Sequence, residues 1–122
     1  MHFKSTDEAN AFTAGDFTTI KELLHPKNET VEINYSLAHA ELAAGQRSHN
    51  HILEKQSELY YILEGRGEAH IGETVQMMKK GDFVLIPAGV EQYIINVGEE
   101  TLRFLCIVSP PWKKEDEKIL EE

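Results

Sequence analysis

His49 and His51 stand two residues apart in the run from Gly45 to Leu53, and Glu58 follows in the run Glu58-Leu59-Tyr60-Tyr61-Ile62. Alternate side chains of a β-strand share a face. His49, His51 and Leu53 therefore project together, and so do Glu58, Tyr60 and Ile62. Two imidazoles and a carboxylate from neighbouring strands form a mixed nitrogen–oxygen donor set that suits Zn, Fe, Mn, Ni or Cu. A later strand presents Gln92, Ile94 and Asn96 on one face, so that Gln92 reaches the same pocket from the far wall. The amide oxygen of Gln is a weaker ligand than imidazole. The alternative is a metal-free pocket in which His51, Glu58 and Gln92 hydrogen-bond one another, as buried polar groups must. Tyr60 lies beside Glu58, where its hydroxyl can orient a ligand or a proton, and these two are the candidate catalytic residues. Leu53, Ile94, Phe104 and Cys106 are the candidate pocket lining, with core packing as the plainer role for the last two.

Short strands must carry these groups. The candidates are residues 30–43, 47–53, 58–64, 67–71, 74–78, 83–86, 91–97 and 101–108, rich in β-branched and aromatic residues and separated by breakers such as Gly65, Gly72, Gly81, Pro87, Gly89 and Gly98. Eight strands at this spacing predict an all-β fold, an antiparallel barrel or jelly roll. Residues 17–24 read either as a turn of helix or as an edge strand. Residues 112–122, after Pro110-Pro111, have helical composition and an acidic finish, which predicts a short helix or a frayed tail. The resulting division is an N-terminal arm at 1–29, a barrel core at 30–108 and a tail at 109–122, all one domain.

With 122 residues and 41% hydrophobic content, the chain is long enough for one core. It carries 21 acidic against 12 basic side chains, a net charge of −9, which repels phosphate backbones and argues against nucleic acid as a partner. No apolar run reaches the roughly 18 residues a bilayer span requires. The N-terminus has neither the basic start nor the apolar middle of a secretory signal, so the expected location is the cytoplasm, without a membrane partner. Cys106 is the single cysteine, set in the apolar run LRFLCIV, and reads as a buried thiol. No nucleophile elbow and no phosphate-cradling glycine loop is present.

The two stretches resemble the paired motifs of the cupin superfamily, in its small single-domain, conserved-barrel form. Counted from Gly45, five residues lead to His51, Leu53 takes the second histidine position, and Glu58 and Gly65 follow at the family spacing. A second register keeps both His49 and His51 but shortens the first gap and lengthens the one before Glu58. In the second motif Gly81, Pro87, Gly89 and Asn96 fit, with Gln92 where the family usually has a metal-binding histidine. The resemblance implies a ligand set drawn from His49, His51, Glu58 and Gln92 around a divalent transition metal. It also implies a small carboxylate- or sugar-like ligand and a homodimer. Oxygenase and isomerase chemistry, as in proteins of the RmlC and mannose-6-phosphate isomerase type, is one expectation; a non-catalytic sensing module with a degenerate site is the other. Fold alone does not choose between them.

Overall fold

In the computed structural model, which describes residues 1–121, two antiparallel sheets face each other. Strands run from the N-terminus as β1 Phe12–Thr13, β2 Thr19–Leu24, β3 Ser36–Leu42, β4 His51–Leu53, β5 Ser57–Glu64 and β6 Arg66–Ile71. They continue as β7 Thr74–Lys79, β8 Phe83–Ile86, β9 Gln92–Asn96, β10 Leu102–Ser109 and β11 Glu117–Ile119. The six-stranded sheet has the order β1-β2-β3-β10-β5-β8 and the five-stranded sheet the order β11-β4-β9-β6-β7.

Alternation decides which face each strand buries. Along β10 the even positions Leu102, Phe104, Cys106 and Val108 are buried while the odd positions are partly exposed, and β9 buries Gln92, Ile94 and Asn96. Leu42, Ile62, Ile94, Leu102 and Phe104 from both sheets meet in one core, each almost wholly removed from water. Burial of one such side chain contributes about 1.5–3 kcal/mol. Asn96 from the second motif is structural. Its amide donates to the carbonyls of Leu42 and Glu100, and its oxygen accepts from Gly98 N–H, so it ties two loops to the barrel wall. Gly65 turns β5 into β6 at φ +85, where any Cβ would stand 3.0 Å from the backbone of Thr101 and Leu102, so no larger residue fits.

Of residues 17–24, read either as a turn of helix or as an edge strand, Thr19–Leu24 form the strand β2, which lies inside the six-stranded sheet between β1 and β3. The 30–43 strand shortens to Ser36–Leu42, and the 47–53 strand to His51–Leu53. Where the sequence predicts a short helix or a frayed tail over 112–122, residues 112–121 hold a single 3-10 turn at Lys114–Asp116 that leads into β11, which pairs with β4; residue 122 lies outside the described residues. The reason lies in hydrogen bonding. Gln56 donates to the buried carboxylate of Asp116 at 2.7 Å, Glu54 N–H bonds the Asp116 carbonyl, and Leu120 N–H bonds Asn50. Composition does not register such long-range partners. Among the described residues, no helix is long and apolar enough to cross a membrane.

Candidate functional site

A cavity of about 120 Å³ opens between the sheets, with Asp16, His51, Glu58, Cys106, Trp112 and Glu117 among its walls. The loop after β1 brings Asp16, β2 Glu22, β3 Ala38, β4 His51, β5 Glu58, β10 Cys106, and the C-terminal segment Trp112 and Glu117. Its volume is close to that of an engineered protein cavity that holds benzene.

His51 is almost fully buried. Its Nδ1 lies 2.8 Å from the carbonyl of His49. A carbonyl only accepts, so Nδ1 carries a proton and donates to it, which leaves Nε2 on the side of Asp16. Nε2 stands 3.8 Å from Asp16 Oδ2. Asp16 is itself held by Thr18, whose backbone N–H and hydroxyl both donate to Oδ1, the hydroxyl at 2.6 Å.

Glu58 has an unusual titration. Burial, followed by the negative charges of Asp16 and Glu117, pushes its carboxyl up to about 8, and hydrogen bonds from Gln92 and Cys106 offset only part of this. At pH 7 the group is mostly a protonated acid. Gln92 is placed to help because its oxygen is already occupied: the Tyr60 hydroxyl donates to Gln92 Oε1 at 2.6 Å, leaving the amide N–H groups for Glu58. The Cys106 thiol is also pushed up, by burial and then by Glu58, so it stays S–H. Glu117 is raised chiefly by burial, against a lowering bond from the Trp112 indole at 3.1 Å.

The structure thus brings His51 and Glu58 to one cavity, with Gln92 and Tyr60 bonded behind Glu58. Tyr60, Ile94 and Phe104 do not line the cavity. They belong to the core, where Tyr60 packs on Phe104 at 4.9 Å, and Leu53 is buried outside the lining too. Cys106 both joins the core and lines the cavity. His49 departs most. It precedes the first residue of β4, so strand alternation does not extend to it, and its ring stacks on Phe17 at 5.5 Å.

The proposed ligand set of His49, His51, Glu58 and Gln92 therefore does not fit a metal. One imidazole is stacked on Phe17, outside the cavity lining, and the amide oxygen of Gln92 accepts from Tyr60. Among the described residues, no three His, Cys, Asp or Glu side chains are grouped to hold an ion. Sequence reasoning did not place Asp16, Trp112 or Glu117 at the site: Asp16 falls just before the ambiguous segment 17–24, and the other two fall in 112–122, whose composition suggests a short helix or a tail.

Comparison with known proteins places this geometry in context. The family profile described as the cupin domain matches residues 38–108. An uncharacterized protein of Methanocaldococcus jannaschii is 37% identical over 115 residues, covering 94% of this chain and 91% of its own. Among solved structures, a predicted oxalate decarboxylase from Thermotoga maritima superposes with a TM-score of 0.80 at 22% identity, over 89% of this chain and 99% of that one. The Streptomyces protein Pac13, described as a nucleoside dehydratase and also solved with uridine, superposes at 0.78. It is 13% identical, over 99% of this chain and 92% of that one. At such identities the two structures are similar in fold.

Proposed function

The chain belongs to the cupin family, and on that footing we propose that its cavity moves protons on a small organic substrate without a resident metal, as in a dehydration or an isomerisation. One observation carries this reading: Glu58, raised to about 8, lines the same cavity as His51 Nε2. Glu58 holds a proton at neutral pH, and His51, its ring oriented by the bond from Nδ1 to the His49 carbonyl, is the group we assign to accept one. Two titratable groups with opposite proton occupancy at one pH are the minimum apparatus for general acid–base catalysis, which contributes typically 10²–10⁴-fold. Glu58 donates, His51 accepts, and the Tyr60–Gln92 bond keeps the acid oriented. Cys106, held as a neutral thiol, has no nucleophilic role.

The sign of the cavity narrows the ligand. Asp16, Glu22, Glu58 and Glu117 line it, and among the described residues no Lys or Arg does. A carboxylate substrate would meet like charge there, so the carboxylate-like ligand suggested by the family is the less suited of the two types.

The test is hydrogen–deuterium exchange at carbon. Small hydroxy-carbonyl compounds are incubated with the protein in D2O and followed by proton NMR. Exchange or elimination that is lost in both Glu58→Gln and His51→Gln supports proton transfer. Ligands that bind without exchange, and bind Glu58→Gln equally well, would point instead to the non-catalytic sensing module.

We further propose that the working unit is a homodimer. Support comes from the outer face of the six-stranded sheet, which is apolar where water would ordinarily face polar residues. Register aligns Leu37, Ile107, Leu59 and Leu85 in one row and Leu105, Tyr61 and Phe83 in the next. Phe83 is 64% exposed and Leu85 58%. The four strands, β3 of seven residues, β10 and β5 of eight and β8 of four, present roughly 430 Å² in projection at about 4.8 Å between strands. That flat projection is about half of the roughly 800 Å² one partner contributes to a standard interface.

A further inference from the structure

His49 is the histidine of the first motif that the cavity does not use, and the residue it stacks on has an unusual backbone. Among the described residues Phe17 is the one non-glycine residue with positive φ, at +78. Left-handed geometry crowds the Cβ of a bulky side chain and persists only where neighbouring contacts hold it. Phe17 is 46% exposed, so its ring adds little to the core. What it holds is a turn. Ala14 N–H donates to the Thr18 carbonyl at 2.8 Å and Phe17 N–H to the Ala14 carbonyl at 3.0 Å, closing the chain between β1 and β2. His49 N–H donates to the Asp16 carbonyl at 2.6 Å, and the Phe17 and His49 rings lie 5.5 Å apart and nearly parallel. A backbone bond and a ring stack therefore join this turn to the segment that enters β4.

The joint determines where one carboxyl stands. Thr18, buried at 2% exposure, occupies Asp16 Oδ1 with both its N–H and its hydroxyl, which leaves Oδ2 at 3.8 Å from His51 Nε2. That distance is too long for a hydrogen bond but close enough for charge to act. When His51 accepts a proton, its new positive charge forms beside a carboxylate, which favours it. The same carboxyl acts on the acid. After burial, the charge of Asp16 is the next cause that pushes Glu58 up, ahead of Glu117. His49 contributes once more through its own carbonyl, which takes the Nδ1 proton of His51.

We propose that Phe17 and His49 are positioning residues: stacked ring on ring, they hold the turn that keeps the Asp16 carboxyl at His51 and Glu58, so that one fixed charge serves both the base and the acid. This inference rests on the proton-transfer reading of the cavity and assigns the contact that keeps its groups in place.

NMR titration of the Glu58 side-chain carboxyl carbon in four variants tests it. Asp16→Asn keeps an oxygen for Thr18 and removes the charge, and should move the Glu58 midpoint down from about 8 by about one pH unit. Phe17→Gly relieves the positive φ but removes the ring. His49→Ala removes the other ring and keeps the backbone bond. Each should lower the midpoint part of the way, and the two together little further, because both break one contact. Phe17→Tyr keeps the stack and should titrate as the wild type does. A ring that only packs would change the denaturation midpoint and leave the Glu58 titration where it was. A wild-type midpoint near 8 that does not fall in Phe17→Gly and His49→Ala overturns the positioning role and leaves the acid–base reading standing. A wild-type midpoint near the ordinary 4.5 overturns both.

Discussion

The hydroxyl of Tyr60 donates to Gln92 Oε1 at 2.6 Å, and both groups are buried at 2% exposure or less. This bond fixes which end of the Gln92 amide faces Glu58. The amide oxygen faces Tyr60, the N–H groups turn to the carboxyl, and a position where the cupin motif places a metal-binding histidine becomes a hydrogen-bond partner of Glu58. Tyr60 acts through Gln92 and is a positioning residue.

Tyr60→Phe should leave the Gln92 oxygen buried without a donor, a loss of about 1–3 kcal/mol. Chemical denaturation measures the stability. A spectroscopic readout separates positioning from packing: the Glu58 carboxyl resonance should titrate at a different pH in the variant once the amide is free to rotate. An unchanged Glu58 titration would confine Tyr60 to packing.

Stability should depend on pH through Glu58. The carboxyl titrates near 8 in the folded chain against 4.5 for the ordinary group, so between those values the folded state holds the extra proton. Its contribution is complete below pH 4.5 and is lost as pH rises through about 8, the direction opposite to that of a salt-bridged carboxylate. Glu58→Gln, which stays neutral, should flatten that decline. Urea denaturation midpoints at pH 5 through 9 measure it, and a wild-type midpoint that rises across this window would contradict the assignment.

The C-terminal strand should matter as much as the barrel strands beside it. Gln56→Ala leaves the buried Asp116 carboxylate without its partner at 2.7 Å. A cost of about 1.5–3 kcal/mol follows for a bond to a charged group. Because β11 carries Glu117 into the cavity, amide exchange at residues 117–119 should speed up in the variant before the rest of the barrel responds.

Substituting the outer face should change the assembly and spare the site. Leu85→Glu places a charge on the exposed end of the apolar row, and light scattering should then report a dimer for the wild type and a monomer for the variant. An unaltered mass would show that this face is not the interface.

Much of the fold was legible because alternation is local. The period of two along β5, β9 and β10 reports burial directly, and Gly81, Pro87, Gly89 and Asn96 hold turns whose geometry few other residues accept. His51 and Glu58 were found in the same way. His49 was misplaced because alternation was carried two residues past the start of β4, into a loop where stacking on Phe17 governs the ring. Asp16 and Glu117 could not be found at all. Their neighbours in space are set by β2 joining one sheet and β11 the other, and no periodicity in either segment reports which strands they pair with.

The central claim is that Glu58 enters neutral solution as an acid. A titration of its side-chain carboxyl carbon by NMR, in uniformly labelled protein with Glu58→Gln for assignment, tests this most directly. A midpoint close to 8 supports proton donation to a substrate in this cavity. A midpoint near the ordinary 4.5 would make Glu58 a carboxylate at neutral pH and remove the acid on which the proposed chemistry rests.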